Sequence, residues 1–261
     1  MKNCIQYYKT IAGIFLSLCC IFSEAGAQQS PVIGEKLEQA KAFIQKGNDS
    51  AALQNYRQVL SEASDQKEAL SYTSILLSRK GERQEQKKDA NEFYQQAQEN
   101  ALKALQSDPN YTPAPYAYAL SLYHLSLHRG MKEKFKGLKE VKDYLDRTIM
   151  LDSSFAKARY LMGRWNMAFN KLNVFSKTAV KLFFGGLPDA NAKEAISCYE
   201  KCRELSPSFI QNYYYLAQAL HADGKDLKAI STLKEAISLR PILQDDRHIQ
   251  QKCREMIKSL Q

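Results

Sequence analysis

The sequence predicts an all-α fold, a right-handed solenoid of about five helix pairs that ends in a capping helix. Two observations lead to this prediction. Alternating runs of β-branched residues bounded by turns, which would indicate strands, are missing from the sequence. Pro207 and Pro241 stand 34 residues apart, and a recurring period of this length is typical of stacked helical repeats.

The clearest repeat lies at 210–241. Apolar residues recur there at intervals of three and four up to Leu220, which places them on one helical face. Gly224 interrupts this helix, and a second apolar face runs from Ala229 to Leu239. Small residues on both faces allow the two helices to approach closely. With its 34-residue period, this pattern indicates a tetratricopeptide (TPR) unit, which is a helix–turn–helix hairpin.

The same frame extends towards the N-terminus through four earlier pairs. The predicted pairs are Leu37–Gln45 with Ala51–Leu60, Leu70–Ser78 with Phe93–Leu105, Tyr116–Leu127 with Leu138–Leu151, and Ala156–Phe169 with Ala195–Leu205. The charged spacer from His128 to Gly137 is predicted to be a loop. Residues 244–260 are amphipathic, and we expect them to form the polar-backed cap that a solenoid requires.

Residues 1–27 are predicted to be a cleavable signal peptide rather than part of the fold. An apolar run from Ile11 to Phe22 follows two lysines, and Ala25-Gly26-Ala27 supplies small residues before a cut at Gln28. Twelve helical residues span about 18 Å, less than the ~30 Å core of a membrane. We therefore expect a single helical-repeat domain, 28–261, that is periplasmic or secreted. The alternative is a retained segment that leaves the chain cytoplasmic or membrane-anchored.

Composition and motifs favour a binding protein over an enzyme. The chain carries 37 Lys and Arg against 28 Asp and Glu, a formal charge of +9, which favours acidic partners. Lysines without interleaved aromatic residues argue against nucleic acid, whereas peripheral contact with a membrane stays open. Phosphate-binding glycine loops and nucleophile elbows are missing from the sequence. His124 and His128 are four residues apart and could share a metal ion, but no third ligand lies near them in the sequence. We therefore predict no catalytic residue, metal or cofactor.

One block of the chain resembles the regulator of microtubule dynamics family, whose members are TPR-like proteins. The resemblance covers 135–258 and includes an apolar insertion at 170–189. The residues that carry it most specifically are Gly163, Arg164, Trp165, Lys177, Phe183, Phe184 and Pro188. It implies a non-catalytic interaction protein, and members of the family are linked to microtubules and organelle membranes. For this chain, a microtubule role requires that it stays in the cytosol.

The function predicted from these observations is that of an exported scaffold or adaptor. We expect a peptide or protein segment, acidic in keeping with the basic chain, to dock in a concave groove lined by the first helix of each pair. Tyrosine offers a large contact area at small entropic cost, together with a hydroxyl. The candidate contact residues are Tyr116, Tyr123, Arg159, Tyr213 and Tyr214. The alternative is a cytosolic microtubule- or membrane-associated protein.

Overall fold

The computed structural model describes residues 31–170, 176–178, 180–181 and 190–261. Within these ranges the chain is helical and has no strand. Its long helices are α1 (Pro31–Gln45), α2 (Asp49–Glu62), α3 (Lys67–Glu82), α4 (Lys87–Ser107), α5 (Pro113–Leu127), α6 (Met131–Leu151), α7 (Ala156–Asn170), α8 (Ala192–Leu205), α9 (Ile210–Ala222), α10 (Asp226–Ser238) and α11 (Asp246–Leu260). In the described part of the chain, no helix combines the length and apolarity needed to cross a membrane.

The helices follow the predicted order of five pairs and a cap. Ten of the described helices occupy the places of the five predicted pairs, α3 to α10 pack as successive pairs, and α11 packs on α9 and α10 after them. The predicted all-α helical-repeat fold is therefore confirmed. The part of the chain from Lys36 to Gln261 forms one compact unit, and the packing described below lies within it.

The predicted loop from His128 to Gly137 is wrong. Helix α6 begins at Met131, directly after Gly130, and the buried side chains of Phe135 and Leu138 belong to it. The charged residues of this segment occupy the exposed face, while its apolar residues recur at helical spacing. Charge alone therefore gave a misleading indication of a loop.

In two pairs, the helices approach each other where a glycine of the first helix meets a tyrosine ring of the second. A Cβ added to Gly163 would lie 2.6 Å from Cζ of Tyr199, and one added to Gly81 would lie 2.8 Å from Cδ1 of Tyr94. In the last pair, alanine takes the place of glycine, and Ala217 is fully buried. Close packing of this kind requires small residues, as the sequence predicted.

Two apolar cores meet along α7. One contains Trp165, whose indole Nε1 donates a hydrogen bond of 2.6 Å to the carbonyl oxygen of Leu138. Its ring also packs against Phe169 at 4.8 Å between centroids. The other core extends from Tyr160 on α7 to Cys253 on α11. Helix α7 is thus held from both sides, which fixes the direction of the side chains that it presents to the first helices.

A partly buried ion-pair network joins α2 and the end of α3 to the start of α11. Arg83 donates hydrogen bonds to the carboxylates of Asp49 and Asp245, and the two bonds to Asp245 measure 2.8 and 2.9 Å. Arg79 approaches the other oxygen of Asp49 at 3.0 Å, and Asp49 itself is buried. We call Asp49, Arg83 and Asp245 the terminal bridge, because they connect parts of the chain more than 160 residues apart.

The turn between α1 and α2 also packs on the loop that precedes α11. Gly47 has φ +69°, and an added Cβ would meet the carbonyl oxygen of Ile242 and lie 3.1 Å from the amide nitrogen of Gln244. The carboxylate of Asp246 accepts hydrogen bonds from the backbone N–H groups of Ile242 and Leu243 at 2.8 and 2.7 Å. The loop before α11 is therefore held firmly where this turn packs on it.

Candidate interaction site

Four first helices converge on the guanidinium of Arg164, which lies on α7. Rings from α5, α7 and α9 surround its central carbon, with centroids at 5.1 Å for Tyr123, 5.8 Å for Tyr160 and 4.9 Å for Tyr215. From α3, Glu82 pairs with it at 2.6 Å. Aromatic faces attract cations within about 6 Å of the ring centre. These five residues form what we call the arginine cage.

The cage holds its charges in fixed states. Burial alone would raise the pKa of Glu82, but the charge of the Arg164 guanidinium and its hydrogen bond lower that pKa below the usual value, so the carboxylate is ionised. Burial lowers the pKa of His124 to about 4, so this imidazole is neutral near pH 7. His124 lies 3.4 Å from Glu82 and stacks on Tyr94 at 4.5 Å. The resulting site is rigid and already largely paired.

Three cavities share Arg164 as a lining residue. The largest, of about 730 Å³, lies beside Glu82, His124 and the basic side chain of Lys252. The smallest, of about 40 Å³, is lined by Tyr116 and Lys157 among others. The third has a volume of about 310 Å³. We call it the tyrosine pocket, and its lining residues are Tyr123, Leu127, Lys134, Arg164, Met167, Ala168, Tyr199, Tyr215 and Gln218.

The structure places two of the five predicted contact residues at these cavities. Tyr116 lines the smallest, and Tyr123 belongs to both the cage and the tyrosine pocket. Tyr213 is buried in the core, where its hydroxyl donates to the carbonyl oxygen of Pro207 at 2.7 Å.

The remaining two are half-buried. Arg159 has a buried Nε without a hydrogen-bond partner among the described residues. Tyr214 packs edge-on against Tyr215 at 5.5 Å. Neither residue is among those lining the three cavities. Binding of a partner by any of the five predicted residues stays a prediction.

The residues that carry the family resemblance have distinct structural roles. Gly163 leaves room for the ring of Tyr199, Arg164 is the centre of the cage, and Trp165 anchors α7 to α6 through its hydrogen bond. Lys177 is exposed. The predictions on Phe183, Phe184 and Pro188, and most of the insertion 170–189, lie outside the described residues.

Sequence reasoning missed several residues of the site. Tyr160 could have been found from its spacing, because it precedes Arg164 by one helical turn on the same face. Glu82 is 82 residues away from Arg164, and Tyr215 lies in the next pair. No local pattern marks those two residues. In the described ranges, His, Cys, Asp and Glu side chains form no group of three or more that could hold a metal ion.

Comparison with known proteins identifies the family. Residues 36–261 match the family model described as regulator of microtubule dynamics protein 1-3. The chain belongs to the regulator of microtubule dynamics family. The match begins far ahead of the block at 135–258 on which the sequence resemblance depends, and therefore covers the first helix pairs as well.

Individual relatives cover less of the chain. Regulator of microtubule dynamics protein 3 of Xenopus laevis is 25% identical over 166 residues, which is 63% of this chain and 36% of that protein. Regulator of microtubule dynamics protein 1 of Mus musculus is 24% identical over 167 residues, which is 63% of this chain and 54% of that protein. The aligned region thus spans about half of these relatives, or less.

A solved structure supports the repeat architecture. A thermophilic TPR protein from Thermus thermophilus superposes with a TM-score of 0.63 at 14% identity, covering 85% of this chain and 99% of that one. This likeness concerns the fold. The chain therefore combines a TPR-like fold with membership of this family.

Proposed function

We propose that the protein is an exported, non-catalytic adaptor that binds a segment of a partner protein between its first helices. The observation that carries this proposal is the convergence of four first helices on Arg164, with cavities on its different sides. Tyrosine and arginine both contribute to the lining of all three cavities, and these residues are enriched in the energetic centres of protein interfaces.

The geometry suits recognition without chemistry. The Arg164–Glu82 ion pair and the surrounding rings fix the lining side chains before a partner arrives, and such preorganisation reduces the entropy lost on binding. Neutral His124 stacks on Tyr94, which gives it a packing role. The polar groups of the site are therefore suited to hold and orient a ligand.

Site-specific photo-cross-linking tests where the partner binds. A photoreactive amino acid replaces Gln211, which lines two of the cavities, and a matched control carries it at Lys193, an exposed position on α8. We expect an adduct with one defined protein from position 211 alone, and a Tyr215→Ala variant should weaken binding of that purified protein. Equal labelling at both positions, or no adduct, would contradict groove binding.

The proposed compartment needs its own test. N-terminal sequencing of the protein from fractionated cells should give a chain that begins at Gln28 in the exported fraction. Retention of residues 1–27 would reject export. It would then favour the second candidate function, association with microtubules or a membrane, which membership of the family suggests. Co-sedimentation with assembled tubulin would test that function directly.

A further inference from the structure

The tyrosine pocket differs from the larger cavity in its charges. Two cations, Lys134 and Arg164, are among its described lining residues, and those residues include no carboxylate. Lys134 forms no ion pair with another described residue and is half-buried. The remaining lining is aromatic or apolar, apart from Gln218. An anionic group with an apolar neighbour would complement this lining.

Arg164 can accept a further acid. Glu82 engages its guanidinium through a single nitrogen at 2.6 Å, whereas a guanidinium can present two parallel N–H groups to a planar carboxylate. Glu82 lines the two other cavities and is not among the residues lining the tyrosine pocket. The cation is therefore opposed by an acid on one side and faces the tyrosine pocket on the other.

Tyr199 supplies an independent indication of a ligand. Its side chain is fully buried, it lines the pocket, and its hydroxyl has no hydrogen-bond partner among the described residues. A buried hydroxyl without a partner is destabilising, and most such groups in folded proteins are satisfied. An oxygen atom of a bound ligand would satisfy it.

We propose that the tyrosine pocket binds a carboxylate of the partner peptide next to an apolar residue, with Arg164 and Lys134 as its cations. This inference rests on the proposed adaptor function. The pocket volume of about 310 Å³ is at the lower end of the range for ligand pockets, which suits one side chain and one carboxylate. The carboxylate is either the C-terminus of the peptide or an Asp or Glu side chain.

Three hexapeptides, each labelled at the N-terminus with an uncharged BODIPY dye, distinguish these two sources. The first is Ala-Ala-Gln-Ala-Ala-Leu with a free C-terminal acid, the second is its C-terminal amide, and the third is the amide with Gln replaced by Glu. Fluorescence anisotropy with the full mature chain should show that at least one acid-bearing peptide binds about 10-fold or more tightly than the neutral amide, the effect of losing one charge-assisted contact. Of the two acid-bearing peptides, the one that binds more tightly shows whether the pocket takes a C-terminal carboxylate or a side-chain carboxylate.

Single substitutions test whether the preference for acid-bearing peptides arises in the tyrosine pocket. Arg164→Gln and Lys134→Gln should each abolish or strongly reduce the preference for the acid, while Arg57→Gln, an exposed arginine on α2, should leave it unchanged. Lys134 lies outside the arginine cage, so its variant keeps the cage intact. Glu82→Gln removes the internal competitor and should tighten acid binding several-fold, whereas a purely structural role of the cage would weaken it.

Equal or undetectable binding of the three peptides would overturn the proposal. So would binding of oleate but of none of the peptides, because the pocket would then accept a carboxylate that is not part of a peptide. Cross-linking at Gln211 reports on the adaptor function separately. An adduct there without any preference for acids would refute the carboxylate site while leaving the groove in place.

Discussion

Replacement of Gly163 by alanine tests how the helices of a pair are held together. Gly163 lies in the middle of α7, where alanine would normally stabilise the helix by about 0.5–1 kcal/mol. Here the added methyl group would lie 2.6 and 2.7 Å from Cζ and Cδ1 of Tyr199. Because carbon atoms in contact lie about 3.5–4.0 Å apart, one of the two helices must move.

The expected change in the free energy of unfolding follows from these two opposing effects. Tyr199 is fully buried, so its ring has no open space into which it can retreat. Overpacking of this kind costs about 1–3 kcal/mol. After the helical gain is subtracted, we expect Gly163→Ala to reduce the free energy of unfolding by about 0.5–2 kcal/mol. For a chain of this length, that corresponds to a fall in Tm of a few degrees.

Urea unfolding followed by circular dichroism measures this change in the free energy of unfolding. The control is the same substitution made in a Tyr199→Leu protein. In a Tyr199→Leu chain the ring is gone, so Gly163→Ala should there be neutral or stabilising. The sign of the effect should thus reverse between the two backgrounds. If alanine stabilises the protein that retains Tyr199, the close approach of α7 and α8 is not what requires glycine.

Three further predictions concern groups described above. Arg83→Met should cost about 1.5–3 kcal/mol, because buried Asp49 loses one charge-assisted hydrogen bond but keeps its contact with Arg79, whereas Asp245→Asn should cost less than about 1 kcal/mol because Asp245 is more exposed; urea midpoints compare the two. The pKa of His124 falls to about 4 on folding, so the unfolded state binds more protons between pH 6.5 and 4; stability should decline across that window as pH falls, and His124→Gln should flatten the decline in urea titrations. Trp165→Phe keeps a ring but loses the hydrogen bond to Leu138, and calorimetry should show a loss of about 1 kcal/mol.

The sequence was sufficient to predict the fold because its signals are local. Helical spacing of apolar residues and the 34-residue period both act within one pair, and the buried Ala217, Ala229 and Ala236 occupy the positions where close packing needs small side chains. The error at 128–137 arose for a related reason. Lysines on the exposed face of α6 obscured the helical spacing of Phe135 and Leu138.

The site was less predictable because it depends on contacts between distant repeats. Arg164 was found through the family resemblance and Tyr123 through its residue type and its place on a first helix. Which tyrosine reaches the cavities depends on the rotation of each helix, and Tyr213 shows the difficulty, since it packs into the core on a helix whose neighbouring Tyr215 joins the cage. Helix rotation of this kind is set by tertiary packing, which the sequence pattern specifies only in part.

The terminal bridge has a consequence for how this protein can be dissected. In most repeat arrays each unit touches only its neighbours, so units can be trimmed from either end with local effects. Here Arg83 bonds to Asp245, 162 positions later, so deletion of residues 245–261 would leave the Arg83 guanidinium with Asp49 as its one remaining described acid partner. A fragment shortened at one end should therefore unfold less cooperatively at both ends. Long-range pairing of this kind is also expected to slow refolding.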